Sequence, residues 1–160
     1  MTERQITTKI HFCAVEELSD TEKMLLNAAK EAAVTAYAPY SHFQVGAALL
    51  LDNGEVVKGS NQENAAYPSG LCAERVAMFY ANATWPNATI THLVVAARNG
   101  KAFINIPIAP CGACRQSLLE AERRQGAPIR VLLYGTNETV CIESVKTLLP
   151  LSFDESFLKE

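Results

Sequence analysis

The stretch ITHLVVAAR, residues 90–98, sets the terms for the rest of the chain. It is apolar at nearly every position. A strand made from it presents hydrophobic side chains on both faces and needs cover on both. The flanking sequence supplies helices to do this. Ser19 and Glu22 in SDTE form a capping-box pattern. An alanine-rich helix follows and stops before Pro39. Its Ala28, Ala29, Ala32, Ala33 and Ala36 let another element approach closely. FQVGAALLL then reads as a buried strand and EVVKGSN as its antiparallel partner, with Asn53-Gly54 a two-residue hairpin signal between them. Ser69 is the expected N-cap of a second helix. That helix would carry Cys72, Val76, Phe79 and Ala83 on one face and end at Trp85-Pro86.

After the central strand, the segment from Asn99 to Ile108 reads as a connection. CGACRQSLLEAERRQG is a third helix that ends at Gly126. IRVLLYG and TVCIESV are two further strands. The GTNET link between them is too short for a parallel crossover, so the last pair should be antiparallel, while strands joined through helices should be parallel. The expected fold is α/β: a three-layer α/β/α domain with a mixed five-stranded sheet.

The chain has 160 residues, enough for one domain over 1–160, with 1–18 as an extension ahead of the first helix. Its net charge of −3 lacks the basic surplus of a polynucleotide binder, which favours a small-molecule partner over a nucleic acid polymer. The longest uncharged run, 32–51, is broken by Pro39, Ser41, His42 and Gln44, so no membrane span is expected. MTERQITTKIHF lacks a basic start followed by an apolar run, so it does not read as a signal peptide. The protein is expected to be cytoplasmic. In that reducing setting the five cysteines should bind metal or do chemistry rather than form disulfides.

Cys111-x-x-Cys114 alone is ambiguous between a redox pair, half of a zinc site and two buried thiols. A redox pair leaves Cys72 unexplained. A structural zinc usually has four ligands, and the candidates for a fourth are Cys13, Cys141, His11, His42 and His92. None stands at a short ligand spacing from Cys72, Cys111 or Cys114. Cys72, Cys111 and Cys114 therefore point to a catalytic zinc with one position left open, able to bring the pKa of water down toward ~7. Cys72 would be the third residue of its helix, Cys111 the N-cap of the next and Cys114 one turn in. Free N–H groups and the positive dipole end favour the sulfur anion there. Arg75, three residues after Cys72, could donate hydrogen bonds to sulfur; Arg115 has no assigned role. An acidic residue in a first turn is commonplace, but Glu74 beside three thiols is placed to accept a proton from water.

Zinc-dependent base deaminases carry a ligand-x-Glu element followed by Pro-Cys-x-x-Cys. Here the elements are Cys72-Ala73-Glu74 and Pro110-Cys111-Gly112-Ala113-Cys114. Together with YSHFQVGAALL, GSNQENAAYPSGLCAERVA and LLPLSF, the chain resembles the small, homotetrameric branch of the cytidine deaminases from the first helix to Phe153. The resemblance implies one zinc per subunit on the three cysteines and Glu74 as proton shuttle. It also implies that Asn61 and Glu63 hold ribose hydroxyls, Phe43 packs on the pyrimidine and Ala73 meets the base through its backbone. Tyr67 and Phe153 would reach a neighbouring subunit's site. The implied reaction is hydrolytic deamination of cytidine and deoxycytidine, a step of pyrimidine salvage, in a homotetramer with sites at its subunit interfaces. Three other readings compete: a deaminase of another cytosine-bearing nucleoside or antibiotic such as blasticidin S, a polynucleotide deaminase, and a non-catalytic zinc-stabilised binding module.

Overall fold

The computed structural model describes residues 1–158. Its strands are β1 (His11–Cys13), β2 (Phe43–Leu51), β3 (Val56–Ser60), β4 (Ile90–Asn99), β5 (Ala102–Phe103), β6 (Arg130–Tyr134) and β7 (Thr139–Ile142). Its α-helices are α1 (Asp20–Val34), α2 (Ala73–Thr84) and α3 (Gly112–Gln125). The strands form one mixed sheet in the order β1-β7-β6-β4-β2-β3, with β5 paired to the end of β4. β4 is central: antiparallel to β2 and, across α3, parallel to β6. β6 and β7 are antiparallel, as the short link requires. β3 and β4 run in the same direction but are not neighbours, because β2 lies between them and α2 crosses over it.

The sheet has seven strands instead of the five expected. The additional ones are β1, from the N-terminal segment, and β5, from the connection at 99–108. At three and two residues they are too short to leave a periodic pattern in the sequence.

Alternation along β2 and β4 divides the core in two. Ala48, Val94 and Ala96 face α1 through Leu25, Leu26 and Ala29. Ala47, Leu49, Leu93 and Val95 face α2 and α3 through Ala77, Met78, Leu118 and Leu119. The central strand is thus covered on both sides, as its composition demands. Two glycines set how closely helices sit on the sheet. A Cβ at Gly46 would lie 2.0 Å from the Ala29 carbonyl oxygen, and one at Gly59 would lie 2.5 Å from that of Ala73. The alanines of α1 and α2 are small because backbone meets backbone at these points.

The helix starts and turns hold two corrections. The hairpin turn between β2 and β3 spans three residues, closed by Leu51 N–H donating to the Glu55 carbonyl, with Gly54 at φ +86°. Gly54 supplies the left-handed residue of a three-residue loop, where a two-residue turn was expected. Ser69 does not cap α2; it lies in a 3-10 turn, Tyr67–Ser69, and Cys72 itself is the N-cap. The buried side of α2 is Ala73, Glu74, Ala77, Met78 and Ala81, while Phe79 remains 47% exposed. The tight seat against Gly59 admits alanine and turns the bulkier Val76 and Phe79 outward.

Candidate active site

The N-termini of α2 and α3 come together on one face of the sheet. Cys72 caps α2, Cys111 caps α3, and Cys114 sits in the first turn of α3. Neither N-cap makes a side-chain hydrogen bond, so no side chain caps the first-turn N–H groups beside the sulfurs. The three Sγ atoms all lie within 4.8 Å of one another, and those of Cys72 and Cys111 are 3.6 Å apart. Arg115 steadies the approach to α3. Its Nε donates to the Pro110 carbonyl at 2.7 Å and Nη1 to the Leu148 carbonyl at 3.1 Å. A side chain without an assigned role in the sequence thus ties the segment before Cys111 to the 3-10 turn Val145–Leu148.

Electrostatics at the cluster favour an anion. Hydrogen bonding from Cys114 lowers the Cys72 thiol to about 5, with Arg75 contributing. The same bond pushes the buried Cys114 up, since it holds the proton that Cys72 gives away. Arg75 Nη2 donates to Cys72 Sγ at 3.8 Å. Its Nε is buried without a hydrogen-bond partner. Glu74 is only 4% exposed. Burial raises its pKa above the ordinary carboxylate value, and the neighbouring Cys72 charge adds to the effect.

A cavity of about 640 Å³ opens onto this cluster. Cys72, Cys111 and Glu74 line it, with Phe43, Asn61, Glu63, Tyr67, Ala73 and Arg75 around them. Asn61 Oδ1 accepts from Val45 N–H at 2.8 Å and its Nδ2 donates to the Phe43 carbonyl at 3.0 Å, which pins the start of β2 to the end of β3. Glu63 Oε2 accepts from Tyr40 N–H at 2.9 Å and Ser41 N–H at 3.3 Å, and Oε1 accepts from the Ser41 hydroxyl. The Ser41 hydroxyl, then the Tyr40 N–H, hold Glu63 below the ordinary carboxylate range. Tyr67 meets Tyr40 edge-on at 6.1 Å. Phe153 is not among the residues lining this cavity; it stacks on Phe157 at 5.7 Å and is 58% exposed. Tyr40, Ser41 and Ile108 also line the cavity, and none was singled out from the sequence. The signal for the first two was the Pro39-Tyr40-Ser41-His42 turn, where His42 takes φ +57° ahead of β2.

The family described as "Cytidine and deoxycytidylate deaminase zinc-binding region" matches residues 19–126, more than half of the chain. The chain belongs to this family. Cytidine deaminase from Halalkalibacterium halodurans is 45% identical over 131 residues, covering 82% of this chain and 92% of that protein. Cytidine deaminase from Sporosarcina psychrophila is 40% identical over 141 residues, covering 87% and 95%. The crystal structure of cytidine deaminase from Burkholderia pseudomallei aligns with a TM-score of 0.68 at 40% identity, over 82% of this chain and 98% of that one.

The donor set agrees with the family's metal. Three soft sulfur ligands at two helix starts suit zinc, and with membership of a zinc-binding family they make zinc the cofactor. Among the described residues, none of Cys13, Cys141, His11, His42 or His92 joins the sulfur cluster. Cys13 and Cys141 pack on the α1 side, across the sheet from it. The fourth protein ligand that a structural zinc module needs is thus missing from the described residues.

Proposed function

We propose that this chain hydrolyses cytidine and deoxycytidine to uridine and deoxyuridine with release of ammonia, as one catalytic domain over 1–160. The observation that carries the reading is a buried carboxylate, Glu74, beside three clustered thiols at the wall of a cavity with room for a nucleoside. Cys72, Cys111 and Cys114 would hold the zinc, which would supply a water activated as nucleophile near neutral pH. Glu74 takes a proton from the water that adds to C4 of the cytosine ring and passes it to N3. It then helps protonate the departing amine. Its raised pKa suits this traffic, since a group that both takes and gives a proton works best with a pKa close to the operating pH.

The remaining roles concern position. Glu63, kept ionised by Ser41 and Tyr40, is an acceptor for ribose hydroxyls, with Asn61 beside it. Phe43 offers a flat face to the pyrimidine and Ala73 its backbone. Arg75 offsets the charge of the thiolates through Cys72. Tyr67 and Phe153, both exposed in the isolated chain, serve neighbouring sites in a homotetramer. The setting is pyrimidine salvage in the cytoplasm. No helix among the described residues is long and apolar enough to cross a membrane.

Loss of cytidine absorbance in the ultraviolet tests the reading, run beside zinc-loaded Glu74→Ala. Conversion by the wild type and almost none by the variant is expected. Equal rates would remove Glu74 from the mechanism, and inactivity of both toward either nucleoside would move the substrate to another amine-bearing ring.

A further inference from the structure

Cys13 and Cys141 take no part in the site above. β1 pairs antiparallel with β7 at three positions: His11 with Cys141, Phe12 with Val140 and Cys13 with Thr139. The two cysteines are thus diagonal neighbours, two residues out of register on one face of the ribbon. Their Sγ atoms lie 2.8 Å apart, closer than the 3.6 Å between Cys72 and Cys111. No third histidine, cysteine or carboxylate joins them to form a metal site among the described residues.

Their place in the fold gives the pair leverage. β1 is the outermost strand and covers the free edge of β7. A bare β7 would present unpaired backbone groups to other chains. The cover is slight: β1 has three residues, Phe12 is 62% exposed and residues 1–10 have no regular structure.

We propose that Cys13 and Cys141 are a reversible dithiol–disulfide pair that fastens β1 over the edge of the sheet. The oxidant is a low-molecular-weight disulfide such as oxidised glutathione. Half-buried Cys13 is the reachable sulfur and attacks first, forming a mixed disulfide and releasing one small thiol. Cys141 then displaces the second small thiol as the Cys13–Cys141 bond forms. The two protein protons end on the two small thiols, and the reagent takes up both electrons. Buried Cys141, pushed up to about 12 by desolvation and by its contact with Cys13, stays protonated until that second step.

The zinc-loaded protein would be equilibrated in mixtures of oxidised and reduced glutathione, quenched in acid, alkylated and mapped by mass spectrometry. One peptide pair joining Cys13 to Cys141 is expected, with Cys72, Cys111 and Cys114 still reducible and metal-protected. The bond closes a loop across 128 positions. The oxidised protein should therefore melt roughly 5–15 °C higher. Hydrogen exchange at β1 should slow, and dithiothreitol should reverse both changes. Cys13→Ser should show none of them. The proposal fails if both cysteines stay alkylatable under oxidising conditions, or if Cys13→Ser gains the same melting shift. Mapping of the wild type decides alone should that variant not fold. Neither readout depends on deaminase activity, so failure here leaves the proposed reaction standing.

Discussion

Each face of the sheet gathers cysteines, and the surroundings give them different characters. On the α2–α3 face, three sulfurs sit at helix starts whose N–H groups no side chain caps. On the α1 face, Cys13 and Cys141 belong to strands whose N–H groups are directed along the β-ladder. Burial does not separate the two groups, since Cys114 is 0% exposed and Cys141 4%. What separates them is the donors aimed at sulfur. Cys72 is lowered by Cys114 and Arg75, while Cys141 has burial and another thiol acting on it. A thiol becomes a metal ligand where the backbone and a cation support its anion. It stays out of the metal site where they do not.

The largest effects should fall on the helix-start face. Cys114→Ala should lose zinc, measured by metal analysis, and all detectable turnover, with a fall in Tm because metal binding is coupled to folding. Retention of one zinc per chain would break the contrast outright. Glu74→Gln should keep its zinc and lower kcat by roughly 10²–10⁴-fold. A near wild-type rate would show that the buried carboxylate is a packing feature.

The glycine seats sharpen the comparison at equal cost. Gly46→Ala and Gly59→Ala each force a Cβ into helix backbone, at 2.0 and 2.5 Å. Each should lose about 1–3 kcal/mol in urea unfolding. Only Gly59→Ala displaces the helix that carries Cys72 and Glu74, so only it should also lower kcat/KM. Equal kinetic losses would mean that the two faces are not independent.

Glu22 tests the α1 face through pH. Burial works to raise its pKa, but the Ser19 backbone bond and the Arg130 bond at 2.7 Å outweigh this, and the value is lowered. Its stabilisation is therefore present above the ordinary carboxylate range and lost as pH falls through the lowered value. Glu22→Gln should be less stable by about 1–3 kcal/mol near pH 7. The gap should close in acid, as pH falls through the lowered value; a gap that widens there would reverse the assignment. In the reduced protein, Cys141→Ala should have the smallest effect: about 1 kcal/mol from a small cavity, with zinc content and turnover unchanged.

Local signals carried most of the fold. Ser19 and Glu22 cap α1 as their spacing requires, the apolar run of β4 is central, and Gly126 ends α3 at φ +67°. Each depends on residues within one turn or one strand. The start of α2 was misread because Ser69 is a good cap in isolation, while the approach of Ala73 to Gly59 places the helix start three residues later. The buried face of α2 was misread for the same reason. At the site, Cys72, Cys111, Cys114 and Glu74 were legible because their spacing along two helix starts is itself the motif. The support that Ser41 gives Glu63 and the tie from Arg115 to Leu148 were not legible, since neither pair forms a local pattern.

The sequence by itself determined a doubly covered central strand, two helices that begin with thiols, and a carboxylate beside the first of them. These follow from side-chain periodicity and from backbone groups left free at helix ends, which act over a few residues. The tertiary structure alone decided which side of α2 is buried, how Asn61 pins β2, and that Cys13 meets Cys141 across 128 positions. Contacts of that range depend on how closely helices and strands can seat against one another, and the volume of residues distant in the chain settles this.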